Sequence, residues 1–150
     1  MWDPIPVGVD EDGQPVTLTL PERNVLLSGE PGSGKSTALS LLVATAALDP
    51  TVRLHLLDGK LVELTGWAGC VDSTAGVHVE DANLLLARLR ADMDEHNLTL
   101  LANRTRKVTT GLGLPLHLVV IDDLAHYRLN GDRKERALIA ELMRDLVARG

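Results

Sequence analysis

Residues 29–37 read Gly29-Glu30-Pro31-Gly32-Ser33-Gly34-Lys35-Ser36-Thr37, and no other stretch constrains the fold of this chain as much. They fit G-x-x-x-x-G-K-[ST], which cradles phosphate only when a strand precedes it and a helix follows. Both neighbours are present. Asn24-Val25-Leu26-Leu27-Ser28 is a short apolar run that reads as a buried strand. Ala38 to Leu48 is rich in Ala and Leu, free of Gly and Pro, and reads as a helix ending at Asp49-Pro50.

The residue types supply the chemistry. Glycines let the backbone wrap an anion and turn successive N–H groups inward. The helix start adds unpaired donors and the positive end of its dipole. In such a loop Lys35 reaches the β- and γ-phosphates, the Ser36 hydroxyl ligates Mg²⁺ and Thr37 supports the α-phosphate. A glycine-rich turn that binds nothing is the plainer alternative, and the flanking strand and helix argue against it.

The 150 residues suffice for one domain, 1–150, with its own core. With no Phe and 2% aromatic residues, that core must be aliphatic. The net charge of −6 excludes a generally basic nucleic-acid binder, so any DNA contact must come from a local patch or an assembly. Cys70 is the single cysteine, which rules out an intrachain disulfide and suits a reducing cytoplasm. No signal-peptide pattern opens the chain and no apolar run reaches a membrane span. The expectation is a cytoplasmic protein, with any membrane association through another protein.

Ile5, Val7, Val9 and then Val16, Leu18, Leu20 alternate around the turn-forming Asp10-Glu11-Asp12-Gly13-Gln14-Pro15. This predicts a hairpin over 5–20 with a solvated acidic turn. Trp2 reads as packing beneath it, with contact to a nucleotide base as the alternative. Val52 to Leu57 reads as the second core strand, ending at Asp58-Gly59-Lys60. Ligands of open α/β sheets sit beyond the carboxyl ends of strands, which puts Asp58 and Lys60 on a functional edge. A turn with a surface salt bridge explains the same residues, and spacing does not choose.

Leu61 to Trp67 reads as a short helix, and Val71 to Val79 as a loop or weak strand. Asp81 to Asn103 is the longest predicted helix, capped by Asp81, with Leu84, Leu85, Leu89, Met93, Leu100 and Leu101 as its apolar face. Arg88, Arg90, Arg104, Arg106 and Lys107 are interspersed with acids and read as a solvated face. Leu116 to Ile121 is an apolar run ending in Asp122-Asp123. After a phosphate loop this is the second chemical signal: Asp122 delivered to Mg²⁺ and Asp123 where an acid orients water. Arg133 to Arg149 reads as a final helix with Ala137, Leu138, Leu142, Leu146 and Val147 as its apolar face. His55 and His117 lie in apolar strands and read as satisfied core residues.

Gly29–Thr37, Asp58-Gly59-Lys60-Leu61-Val62-Glu63-Leu64 and Val119–Tyr127 together resemble the motor domain of the FtsK/SpoIIIE DNA translocases, most closely the actinobacterial plasmid-transfer type. That family carries D-P-K-x-x-E-L after its second core strand, so the resemblance adds Glu63 to the functional edge. It implies an α/β fold of the RecA-like P-loop type: a mostly parallel sheet flanked by helices, led in by the hairpin. It implies ATP and Mg²⁺ as cofactors, double-stranded DNA as partner, hydrolysis coupled to DNA movement, and a homo-oligomeric ring, with Lys35 and Asp123 catalytic. Two departures stand out. Gly59 replaces the family's proline, and Asp123 replaces its glutamate. The resemblance also implies a further strand beyond Gly150, between the phosphate-loop and acid-bearing strands. The expectation is therefore a truncated motor domain with an incomplete sheet. A nucleotide-binding module without turnover that regulates a full-length translocase is the first alternative. A P-loop kinase acting on a small molecule is the second.

Overall fold

A computed structural model describes residues 1–150, the side chain of Thr110 apart. The alternating N-terminal residues form an antiparallel pair, β1 (Ile5–Val9) and β2 (Pro15–Leu18), with Ile5 opposite Leu18. Asp10 closes the turn. Its Oδ1 accepts the amides of Asp12 at 3.0 Å and Gln14 at 2.8 Å, and Gly13 takes φ +75°. The acidic turn thus organises its own backbone as an Asx turn besides facing water.

A second, parallel sheet has the order β4-β3-β5, built from β3 (Val52–Asp58), β4 (Ser73–Ala75) and β5 (Leu116–Asp122). Period-two alternation splits β3 between two cores. Leu54 and Leu56 meet Val43 and Ala46 of α1 (Lys35–Ala47) on one face. Leu57 meets the other face, covered by α2 (Val79–Ala102), α3 (Leu124–Leu129) and α4 (Arg133–Arg149). Full burial of such a leucine contributes about 1.5–3 kcal/mol. The hairpin joins α1 through Ile5, Leu20 and Leu42.

The start of α4 is set by a capping box. Asp132 Oδ1 accepts the amides of Lys134 at 2.7 Å and Glu135 at 2.8 Å, and Glu135 Oε2 accepts the Asp132 amide at 2.6 Å. Asn83 of α2, buried, donates to the Glu135 carbonyl at 3.1 Å, tying the two helices together.

Several expectations need correction. Val25–Ser28 forms no strand and belongs to neither sheet; Leu26 is 82% exposed. An apolar run becomes a strand only where a neighbour offers ladder partners, and none of the described residues does so here. The matching gap shows in β5, which pairs with β3 along one edge and with no strand along the other. Only Val120 of β5 is fully buried, so the expected buried strand is half-covered. Asp81 does not cap α2; His78 holds that position without a side-chain hydrogen bond, and Asp81 lies in the first turn. The buried stripe of α2 runs Val79, Ala82, Asn83, Leu85, Leu86, Leu89, leaving Leu84 and Leu101 exposed. On α4 the buried residues are Ile139 and Leu142, while Leu138 and Val147 face water. Leu61–Trp67 is not one helix; Leu61 takes φ +56° and a 3₁₀ turn covers Thr65–Cys70.

Trp2 anchors against the turn before β3 rather than beneath the hairpin, its Nε1 donating to Thr51 Oγ1 at 3.1 Å. His55 is the satisfied core residue expected: Nδ1 lies 2.7 Å from Ser73 Oγ and Nε2 3.1 Å from His117 Nδ1. Arg90 pairs with Glu141 at 3.5 Å and Lys107 with Glu22 at 2.6 Å, in line with a solvated basic face.

Candidate functional site

The phosphate-loop residues lie in the connection that enters α1. Gly32 and Gly34 sit at φ +79° and +87°, with Ser33 between them at negative φ. Alternation of that kind turns neighbouring amides toward one side, making a concave anion nest. Gly29 has a separate reason to be glycine: a Cβ there would lie 2.6 Å from Ser33 Oγ. Gly29, Glu30, Pro31, Gly32, Ser33 and Gly34 are all solvent-exposed, while Lys35 and Ser36 are half-buried and Thr37 is exposed.

The Lys35 ammonium donates to the carbonyls of Gly29 at 2.8 Å and Glu30 at 2.7 Å, and lies 3.5 Å from Ser33 Oγ. The loop therefore closes over its own cation. The residues fit a polyphosphate: left-handed glycines at a helix start, exposed amides, and a lysine whose partners are loop oxygens alone. Ser36 and Asp122 offer oxygen donors only, the kind of ligand that hard Mg²⁺ takes alongside phosphate oxygens.

The acids stand at the carboxyl ends of the sheet. Asp122 ends β5, and Asp123 follows it at φ +56°, ψ +60°. That left-handed conformation costs a non-glycine residue roughly 1–2 kcal/mol, and Asp is among the residues that adopt it most readily. Burial first, and the Asp58 carboxylate second, push the Asp122 carboxyl above the ordinary range. The same causes, in the same order, raise the Tyr127 phenol, whose hydroxyl donates to the Gly76 carbonyl at 2.8 Å.

Asp58 is buried, and its carboxylate clasps the loop that follows. Oδ1 accepts the Lys60 amide at 3.1 Å and Oδ2 the Leu64 amide at 2.9 Å. Glu63 is exposed on that loop. The Lys60 ammonium reaches across to Asp123 Oδ2 at 3.4 Å. So the structure brings Asp58, Lys60, Asp122 and Asp123 together at the carboxyl ends of β3 and β5, and the Asp58–Lys60 turn carries the salt bridge.

His126 and Tyr127 support this edge and were not singled out by residue type. A Cβ on residue 59 would lie 2.8 Å from His126 Cβ, so Gly59 is required where the resemblance expects proline. His126 Nε2 lies 2.8 Å from the Val77 carbonyl oxygen. Glycine at 59, where the resemblance expects proline, was the available sequence signal.

Residues 2–115, more than half of the chain, match the family model for the FtsK/SpoIIIE family. The chain belongs to the FtsK/SpoIIIE family. The matched segment of this family member includes the phosphate loop and the Asp58–Leu64 loop and stops before β5. No curated protein matches the chain. Among solved structures, the FtsK/SpoIIIE chain is similar to the pCW3 conjugation coupling protein TcpA, monomer form with ATPgS, with a TM-score of 0.77 and 21% identity. The match covers 97% of this chain and 43% of that one, so the chain spans less than half the length of the solved protein. At that identity the likeness shows the fold: a P-loop NTPase sheet flanked by helices.

Proposed function

We propose that this chain is the ATP-binding module of an FtsK/SpoIIIE-type translocase, in which hydrolysis is coupled to movement of double-stranded DNA by a homo-oligomeric ring. The observation that carries this reading is the loop at the start of α1, with left-handed Gly32 and Gly34 and the Lys35 ammonium gathered on loop oxygens. The similarity to TcpA, solved with ATPgS, supports nucleotide binding of the same kind.

The parts divide simply. The loop amides from Gly29 to Thr37 bind and orient the triphosphate. Lys35 exchanges its loop carbonyls for phosphate oxygens. Ser36 and Asp122 would hold Mg²⁺, and Asp123 would orient the attacking water. Bound Mg²⁺ supplies charge neutralisation on the phosphoryl oxygens. The Asp58 clasp keeps the adjoining loop, with Lys60 and Glu63, beside these acids. Among the described residues, no helix is long and apolar enough to cross a membrane.

A second reading, nucleotide binding without turnover, is supported by the unpaired Val25–Ser28 segment and the free edge of β5. Both features leave the loop and the acids less firmly mated, while the loop itself is local and complete. ATP hydrolysis with and without double-stranded DNA, beside a nucleotide-binding titration, separates the two. DNA-stimulated turnover selects the motor, and binding without turnover selects the module. No binding at all overturns both.

A further inference from the structure

We propose that Lys60 is a positioning residue that holds Asp123 in place from the neighbouring strand end. The proposal deepens the nucleotide-binding reading above and rests on it for its functional meaning.

Four observations converge. The Lys60 ammonium lies 3.4 Å from Asp123 Oδ2. The Lys60 backbone is fixed independently, because its amide donates to buried Asp58 at 3.1 Å. The Gly59 amide donates to the Asp122 carbonyl at 3.4 Å, so the loop is tied to the backbone just before Asp123. The Asp123 side chain makes no capping hydrogen bond to α3, although the residue stands at its N-cap, so its carboxylate is committed to the lysine rather than to its own helix.

These features have one geometric result. Asp123 sits in a left-handed turn at the start of a six-residue helix that gives its side chain no capping bond. A cation delivered from a separately anchored loop restricts rotation of that side chain. Lys60 therefore acts through Asp123 and not on the nucleotide. Arginine can form the same pair from the same backbone position. Methionine, of similar length and without charge, cannot.

The test uses the full chain and four variants: Lys60→Met, Lys60→Arg, Asp123→Asn and the Lys60→Met/Asp123→Asn double. Both side chains are partly exposed, so the variants fold. In the nucleotide-free protein, amide exchange is followed at 59–64 and 123–128. Lys60→Met and Asp123→Asn are each expected to speed exchange in both segments about two- to fivefold, the scale of an exposed pair. The double variant is expected to exchange no faster than either single, and Lys60→Arg to stay at the wild-type rate. Unchanged exchange at 123–128 in Lys60→Met, multiplying effects in the double, or failure of arginine to rescue overturns the proposal.

Titration with Mg-ATP then places the lysine. An affinity for Lys60→Met within about twofold of wild type supports a role through Asp123. A tenfold loss overturns it, because Lys60 would then touch the nucleotide. If the wild type binds no ATP, the nucleotide reading fails, while the exchange data still decide whether the pair exists.

Discussion

Asp58 and Asp122 are register partners at the carboxyl ends of two parallel strands, yet they face different tasks. Asp58 spends both carboxylate oxygens on backbone amides, whereas Asp122 is held above the ordinary carboxylate range by burial and by Asp58 itself. One acid builds the loop, and its neighbour carries a charge that burial and Asp58 disfavour and that a cation would compensate.

Asp122→Asn is accordingly expected to weaken Mg-ATP binding about tenfold or more, and Asp123→Asn much less, because an orienting acid matters during turnover. Calorimetric titration with and without Mg²⁺ gives the ranking, and a reversed order would mean the two acids exchange roles. Since Asp122 titrates above an ordinary carboxylate, Mg²⁺-dependent affinity should fade at a higher pH on acidification than free carboxylate chemistry predicts.

Lys35→Ala should reduce ATP affinity about 100-fold, the scale of losing charge-assisted bonds to phosphate. The fold should be unaffected, because the Lys35 hydrogen bonds reach only loop oxygens. Equal affinities for variant and wild type in a fluorescent-nucleotide titration would sink the phosphate-loop assignment.

Stability should depend on pH through His55. Burial first, and His117 second, hold its imidazole down to about 4. In the unfolded chain it titrates near the ordinary value of about 6.5, so between those values the unfolded state binds more protons. Its contribution is fully present above pH ~6.5 and is lost as pH falls toward ~4, to the order of 3 kcal/mol. Denaturant titrations across that range read the slope, which His55→Gln should flatten. An equal slope in both proteins would place the effect elsewhere.

Gly59→Ala should destabilise the chain by about 1–3 kcal/mol, because the new methyl meets His126 Cβ at 2.8 Å. Adding His126→Gly, which removes that Cβ together with the ring, should recover part of the loss. Thermal unfolding of the two single variants and the double decides it; strictly additive losses would show that the two residues do not share the space.

α1, β3 and α4 were legible nearly to their ends, because these depend on local spacing and residue type. Val25–Ser28 was misread for the opposite reason: its apolar pattern announces a strand, but strand formation depends on a partner that the pattern cannot supply. The α2 stripe differs from the expected one, with Leu84 and Leu101 exposed and Ala82 and Leu86 buried, because a long helix rich in leucine has more than one apolar face to offer. Asp58 was placed on the right edge without its task, since a clasp on the amides of residues 60 and 64 becomes visible only once the loop has folded back. The Lys60–Asp123 and Gly59–His126 contacts link positions about 65 residues apart, and nothing local encodes them.

The detached Val25–Ser28 segment has a mechanical consequence. No ladder of backbone bonds runs from the segment entering the phosphate loop to the strand bearing Asp122, so the sheet does not set the spacing between them. That spacing is transmitted instead through the seat of α1 on the sheet, where Val43 and Ala46 press on Leu54, Leu56 and Val120. A tilt of the helix about that seat would move the loop at its start. A change of one methyl group at Val43 or Ala46 would tilt it, and the tilt would be felt at the far end as a shift in how the loop meets the acids.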